Sequence, residues 1–274
     1  MPANWANQGG MTFDMLRQVQ ASLTVDMIMT PRGDALMTCR STDSVDQVMA
    51  RNSDLFSFLP VVNDADQIIG LWKAESWFGQ DAPSSEIGNE FERLSEVMVI
   101  GADVGILDFI TVADERPTRL VVAGDRIAGL VSLSDLQQLP VRAALFALIT
   151  SFEMVMARNI TQRWPDDQEW LNLLSPGRRK KINEAIDEAR EKNAHIESVA
   201  YSQFVDKTTL IMKGRMLSVS NKIAIPKFDA FRDLRDDLAH ANSYANSPGA
   251  ARQVCSTVRD MLDMKSELLS KLNK

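Results

Sequence analysis

The run Arg235-Asp236-Asp237-Leu238-Ala239-His240 holds the sharpest set of reactive side chains in this sequence. A histidine titrates near neutral pH and can take or give a proton. An arginine carries a fixed charge and a planar fork that fits phosphate oxygens. Together they supply what metal-independent RNA cleavage needs: a base for the 2′-hydroxyl and a cation for the phosphate. Such a reaction leaves a 2′,3′-cyclic phosphate. Asp236 precedes His240 by four residues, one helical turn, where it could orient the imidazole. A five-residue step turns through about 140°, so Arg235 and His240 do not share a face of a straight helix. The reach of arginine, or a second copy across a two-fold axis, would close that gap. The same residues also suit a purely structural ion-pair cluster, and Glu153 is read as a salt-bridge partner for Arg235.

Two further groups of residues could bind anions. Ser132 ends an apolar run and precedes a short helix, so its hydroxyl and the nearby backbone N–H groups can hold a phosphate. Asp135, three residues on, can accept the two hydroxyls of a ribose. The same spacing is that of an N-cap serine with a first-turn acid. Arg178-Arg179-Lys180-Lys181 opens a helix, where cations oppose the dipole. This run is a candidate RNA-binding patch, or else solvated surface. Aromatic residues are sparse around it, so base stacking is not indicated. His195 reads as a helix-end or surface residue. Two cysteines, Cys39 and Cys255, and two histidines in no metal-ligand spacing predict no metal site.

The elements that must carry these residues fall into two halves. Up to Leu139 short apolar runs alternate with helical stretches. Leu55–Val62 and Gln67–Trp72 flank a turn at Asn63-Asp64-Ala65-Asp66. Arg119–Ala123 and Arg126–Ser132 flank Gly124-Asp125 about 60 residues later. Helices are predicted over 44–51 and 104–112, before each hairpin, and near Glu75 and Leu133, after it. The pattern is an internal duplication reading β-α-β-β-α twice. Beyond Pro140 helices are predicted over 141–163, 178–194, 197–216, 226–244 and 248–272, with Pro and Gly supplying the breaks. Residues 217–225 are ambiguous between helix and strand.

The first half resembles the CBS family. Thr24-Val25-Asp26-Met27-Ile28-Met29-Thr30-Pro31 is similar to its opening, and Leu59-Pro60-Val61-Val62-Asn63-Asp64 to its central hairpin. Gly129-Leu130-Val131-Ser132-Leu133-Ser134-Asp135-Leu136 matches its closing signature. Tandem CBS pairs are regulatory modules that bind adenine nucleotides, so the resemblance implies ATP, ADP or AMP as a ligand at Ser132 and Asp135. The first copy departs from the signature: Lys73 stands in the hydroxyl position and Ser76 in the acid position. At most one good nucleotide site is expected. The second half, through Arg235-x4-His240 in an all-helical context, resembles the HEPN superfamily. Many of its members are dimeric, metal-independent ribonucleases, and others only bind nucleotides or RNA.

Bulk properties agree with two folded parts. Of 274 residues, 45% are hydrophobic and 24% charged, as in ordinary globular proteins. The net charge of −7 divides unequally. Residues 1–140 hold 9 Lys+Arg and 20 Asp+Glu, and residues 141–274 hold 21 and 17. Only the second half suits a polyanion. No secretory signal or uninterrupted apolar span of membrane length is read, so a cytoplasmic setting without membrane is expected. The expected fold class is therefore α+β: a leader over 1–22, a tandem CBS pair over 23–139, and a HEPN-like helical bundle over 140–274. The expected function is an adenine-nucleotide-regulated endoribonuclease acting as a homodimer, in stress response or antiviral defence. The alternative is a non-catalytic, nucleotide-controlled binding module for RNA or a protein.

Overall fold

Asn63 sets the first hairpin. Its Oδ1 accepts from the backbone N–H groups of Ala65 at 3.0 Å and Gln67 at 2.9 Å. Asp66 takes a left-handed φ of 57°, so the chain reverses between two apolar runs. The computed structural model describes residues 20–192 and 197–272. The first half contains β1 (Thr30–Pro31), β2 (Cys39–Arg40), α1 (Val45–Arg51), β3 (Leu59–Val62) and β4 (Ile68–Trp72). It continues with β5 (Glu92–Arg93), β6 (Val99–Gly101), α2 (Ile106–Val112), β7 (Thr118–Ala123) and β8 (Arg126–Ser132).

The duplication is visible in strand pairing. One sheet has the order β2-β3-β4-β5 and the other β1-β8-β7-β6. In each, a parallel pair joined through a helix leads into an antiparallel hairpin. The register slips between Val61 and Val62 in one hairpin and between Val121 and Val122 in the other. The outer strands are exchanged. β1, from the start of the chain, pairs with β8 of the second repeat, and β5, after the first repeat, pairs with β4. Glycine permits this close crossing. A Cβ on Gly70 would stand 2.2 Å from the Glu92 carbonyl oxygen, and one on Gly129 2.4 Å from that of Thr30. Leu36, Val62, Ile68 and Leu71 meet Leu120 and Leu130 in a common apolar cluster. The closing helices expected after each hairpin are short 3-10 turns, Ala74–Trp77 and Leu133–Gln137.

From Leu139 onward the described residues form helices and loops: α3 (Leu139–Arg163), α4 (Asp167–Leu171), α5 (Pro176–Glu191), α6 (Phe204–Lys213), α7 (Asn221–Ala239) and α8 (Pro248–Leu272). α3 is central and packs against α2, α6, α7 and α8. Phe152 on α3 meets Phe231 on α7 edge to face, with centroids 5.5 Å apart, a favoured aromatic geometry. By length and composition alone α3 could cross a membrane, and half of its apolar window is buried in this fold. Its core is continuous with that of the second repeat: Val121, Val131, Phe109 and Leu136 share one cluster with Leu148, Phe152 and Val258. The first repeat keeps a separate core around Val48, Val61 and Trp72. Cys39 and Cys255 are free, buried thiols.

Three helix limits differ from the sequence expectation. α4 forms within 164–175, where only breaks were expected; Asp166 caps it by accepting from the Gln168 N–H at 2.9 Å. The helix expected over 197–216 is broken. Ser202 turns its hydroxyl back to the Val199 carbonyl at 2.6 Å, and a Gln203–Asp206 capping box starts α6 afresh. The helix expected over 226–244 begins at Asn221, with Pro226 inside it, and stops at Ala239. Ala241 there takes φ 54°. The Asn242 N–H bonds to the Asp237 carbonyl at 2.9 Å and that of Ala241 to Leu238 at 3.4 Å. This is a Schellman closure with alanine in the usual glycine place, so no glycine announced it. Residues 1–19 of the leader expected over 1–22, and His195, lie outside the described residues.

Candidate functional site

Ser132 and Asp135 are joined in a capping box at the end of β8. The Ser132 N–H donates to Asp135 Oδ2 at 2.6 Å, and its hydroxyl lies 3.2 Å from the same oxygen. The other oxygen, Oδ1, accepts from Gln138 Nε2 at 2.8 Å, which also donates to the Ile28 carbonyl at 2.6 Å. Asp135 is only 9% exposed. Burial pushes its carboxyl above the ordinary carboxylate range, and the bonds from Ser132 and Gln138 partly oppose this. The motif thus takes the cap geometry that its sequence equally allowed. In the first repeat Lys73 pairs with Glu75 at 3.2 Å, and no side-chain cap forms.

Arg235 and His240 come to one end of α7. Arg235 Nε meets Glu153 Oε1 at 3.0 Å, so the acid on α3 does pair with it. Glu153 Oε2 in turn lies 3.8 Å from Lys207 Nζ. Lys207 is buried, and its ammonium donates to the Ser202 carbonyl at 2.6 Å. Burial lowers the pKa of this lysine, with Glu153 partly offsetting it. Asp236 turns to Arg235, 3.2 Å away. Only its backbone carbonyl meets His240, accepting the main-chain N–H at 3.0 Å. The Asp236 carboxylate thus lies on the neighbouring guanidinium, and not on the imidazole that the sequence reading paired it with. His240 is the exposed C-cap of α7, and among the described residues its ring has no hydrogen-bond partner.

The basic run is used differently from a free polyanion patch. Arg178 forks onto Asp206, with Nε 2.9 Å from Oδ1 and the second arm on Oδ2. Asp206 is a buried carboxylate that also caps α6, so it demands a cation. Arg179 donates to Asn172 at 2.8 Å. Lys180 makes only an exposed contact with Glu184 at 3.7 Å, and Lys181 is exposed. Arg178 and Arg179 thus brace the helices, which leaves the two lysines as the open part of the run. Among the described residues no His, Cys, Asp and Glu cluster could hold a metal ion.

Sequence reasoning missed the residues that connect the two candidate sites. Gln138, the partner of Asp135, is the N-cap of α3. Arg142, one turn on, donates to the carbonyls of Asp237, Leu238 and Asn242 around His240. Nothing in the local spacing of Arg142 signalled this, because its acceptors are about a hundred residues away.

No protein-family model matches this sequence, and no curated protein does. Among solved structures, the chain is similar to the CBS domain of the bacterial CNNM/CorC family Mg2+ transporter in complex with ATP. The identity is 18% over 47% of this chain and 95% of that one, with a TM-score of 0.37. CBSX2 in complex with AMP is 20% identical over 44% and 96%, at 0.36. The CBS domains of a transcriptional regulator from Streptococcus pneumoniae are 20% identical over 41% and 95%, at 0.35.

Proposed function

We propose that this chain is an adenine-nucleotide-responsive regulator: a CBS pair over 23–139 controls a HEPN-like helical domain over 140–274 that cleaves RNA as a homodimer in the cytoplasm. The single observation behind it is the pairing of two sites. Ser132 and Asp135 sit at the end of β8, and Gln138, bonded to Asp135, stands at the N-cap position of the helix that carries Glu153, the partner of Arg235. On binding, Asp135 exchanges its contacts with Ser132 and Gln138 for the ribose hydroxyls, and the freed N–H and hydroxyl of Ser132 turn to phosphate. At the other end, exposed His240 takes the proton of a 2′-hydroxyl, whose oxygen bonds to the adjacent phosphorus as the bond to the 5′-oxygen breaks, and water supplies the proton to the leaving 5′-oxygen. Arg235, only partly shielded by its two acids, meets the phosphate. Lys180 and Lys181 extend the cationic surface for the RNA. No step calls on a metal.

A second reading has support of its own. Arg235 already pairs with Glu153 and Asp236, and Asp236 leaves His240 unsupported. Those contacts favour a binding module that uses the nucleotide to control an RNA or protein partner without chemistry.

Calorimetry with ATP and AMP on wild type and Asp135→Asn tests the sensor: binding by wild type that the substitution weakens at least tenfold is expected. Incubation of a mixed RNA pool without metal, with and without nucleotide, tests the effector. Cleavage by wild type and not by His240→Ala, leaving cyclic-phosphate ends, is the expected result. Nucleotide binding with no cleavage in any condition would leave the binding-module reading in its place.

A further inference from the structure

The closing turn of the second repeat grips the segment that follows His240. Tyr244 is buried, and its hydroxyl donates to the Leu136 carbonyl at 2.5 Å. With its amide oxygen toward the loop, Gln137 accepts from the N–H groups of Ala245 at 2.7 Å and Asn246 at 2.9 Å. The Arg142 guanidinium lies 5.0 Å over the Tyr244 ring and donates to Leu238 at 2.9 Å and Asn242 at 2.6 Å. Burial pushes the Tyr244 phenol up to about 12, so it remains a donor throughout the neutral range. Leu136 and Gln137 belong to the same 3-10 turn as Asp135.

The grip is local. A cavity of about 320 Å³ lies between the turn and the loop, lined by Leu133, Ser134, Gln137, Ala245, Asn246 and Ser247 among others. Tyr244 and Ala245 are also buried in the same apolar cluster as Leu133 and Leu136, so the loop follows the turn as one packed unit. Asp135 holds the turn in shape through Ser132 and Gln138. A ligand that draws the Asp135 carboxylate away from those partners must alter the turn that grips the loop.

We infer that Leu136, Gln137 and Arg142 on one side, and Tyr244 to Asn246 on the other, form a clamp through which occupancy of the Ser132–Asp135 motif sets the position of His240. The inference rests on the nucleotide reading above and is independent of whether His240 cleaves RNA. The clamp transmits only as much as the ligand distinguishes between its closed and open forms.

Hydrogen exchange across 240–246 in the full chain tests the clamp. ATP and AMP are the probes, with binding measured in parallel by calorimetry. In wild type, bound nucleotide should change exchange at Ala245 and Asn246 by about fivefold or more, the lower range of allosteric couplings. Tyr244→Phe should bind nucleotide and lose most of that change. Gln137→Ala, which removes the acceptor for both amides, should do the same and serves if Tyr244→Phe does not fold. Bound nucleotide with unchanged exchange in wild type overturns the clamp and leaves the sensor standing. An undiminished change in a variant that binds nucleotide also overturns it. Absence of any nucleotide binding removes the sensor reading, and the clamp with it.

Discussion

Asp114 and Arg259 meet fork to fork, each carboxylate oxygen 2.7 Å from one guanidinium nitrogen, across 145 residues of sequence. Arg259 also donates to the Thr111 carbonyl at 2.8 Å. The pair fastens the end of α2, in the second repeat, to the middle of α8. Arg259→Gln should lower stability by about 1–2 kcal/mol, the range for charged hydrogen bonds discounted for partial exposure. The hydrogen bonds from Arg259 hold the Asp114 carboxyl below the usual carboxylate range. Its contribution is therefore complete above the unfolded value of about 3.9 and lost as pH falls through the lower folded value. Urea unfolding should show the full difference between wild type and variant at pH 7 and a shrinking one below about pH 4. A difference that persists undiminished into strong acid would rule out the charge as its source.

Gly129→Ala should break the exchange of β1. The new methyl would lie 2.4 Å from the Thr30 carbonyl, 3.0 Å from Met29 Sδ and 3.2 Å from Pro31 Cα. Backbone cannot yield as a side-chain tip can, so β1 must leave β8 or the sheet must shift. A loss of about 2 kcal/mol or more is expected, in the range of overpacked sites. Gly177→Ala has nothing within 4 Å of its added Cβ and serves as the control, with a change under about 1 kcal/mol. Equal melting behaviour of the two variants would contradict the close crossing.

Ala241→Gly should stabilise the protein. Ala241 closes α7 at φ 54°, where a Cβ costs about 1–2 kcal/mol; glycine loses that strain but brings more unfolded-state entropy. A net gain of about 0.5–1 kcal/mol is expected, a rise in melting temperature of about 1–4 °C for a chain of this size. A lowered melting temperature would mean that the Schellman closure does not set the end of this helix.

The duplication was legible because its signals are local. Asn63 and Gly124 mark the turns, and Gly129-x-x-Ser132-x-x-Asp135 marks the end of the repeat. The paired strands β1 and β5 were not legible as partners, since two-residue strands carry no periodicity and their partners are distant. The Arg235–Glu153 pair could be anticipated from a lone acid among apolar residues. Lys207 could not, for a lysine in a helical stretch looks solvated until its burial is seen. Arg178 misled for the same reason: the composition showed four cations but not that Asp206 would claim one of them. The end of α7 was hidden because alanine occupies a position that glycine usually announces.

Glu153 ties together two cations of different exposure, and a double-mutant cycle can weigh that tie. Lys207 is buried, and Glu153, with a smaller share from Asp206, offsets the cost of its charge. Glu153→Gln leaves the ammonium buried with the Ser202 carbonyl and a neutral amide, at an expected cost of about 2–4 kcal/mol. Lys207→Met removes the charge but leaves that carbonyl without its donor, at about 1–3 kcal/mol. In the double variant the uncompensated charge is gone, so the combined loss should fall short of the sum by about 1–3 kcal/mol. Urea unfolding of the four proteins at pH 7 measures the difference. Losses that add to within about 0.5 kcal/mol would show that the 3.8 Å approach carries no coupling and that Glu153 serves Arg235 alone.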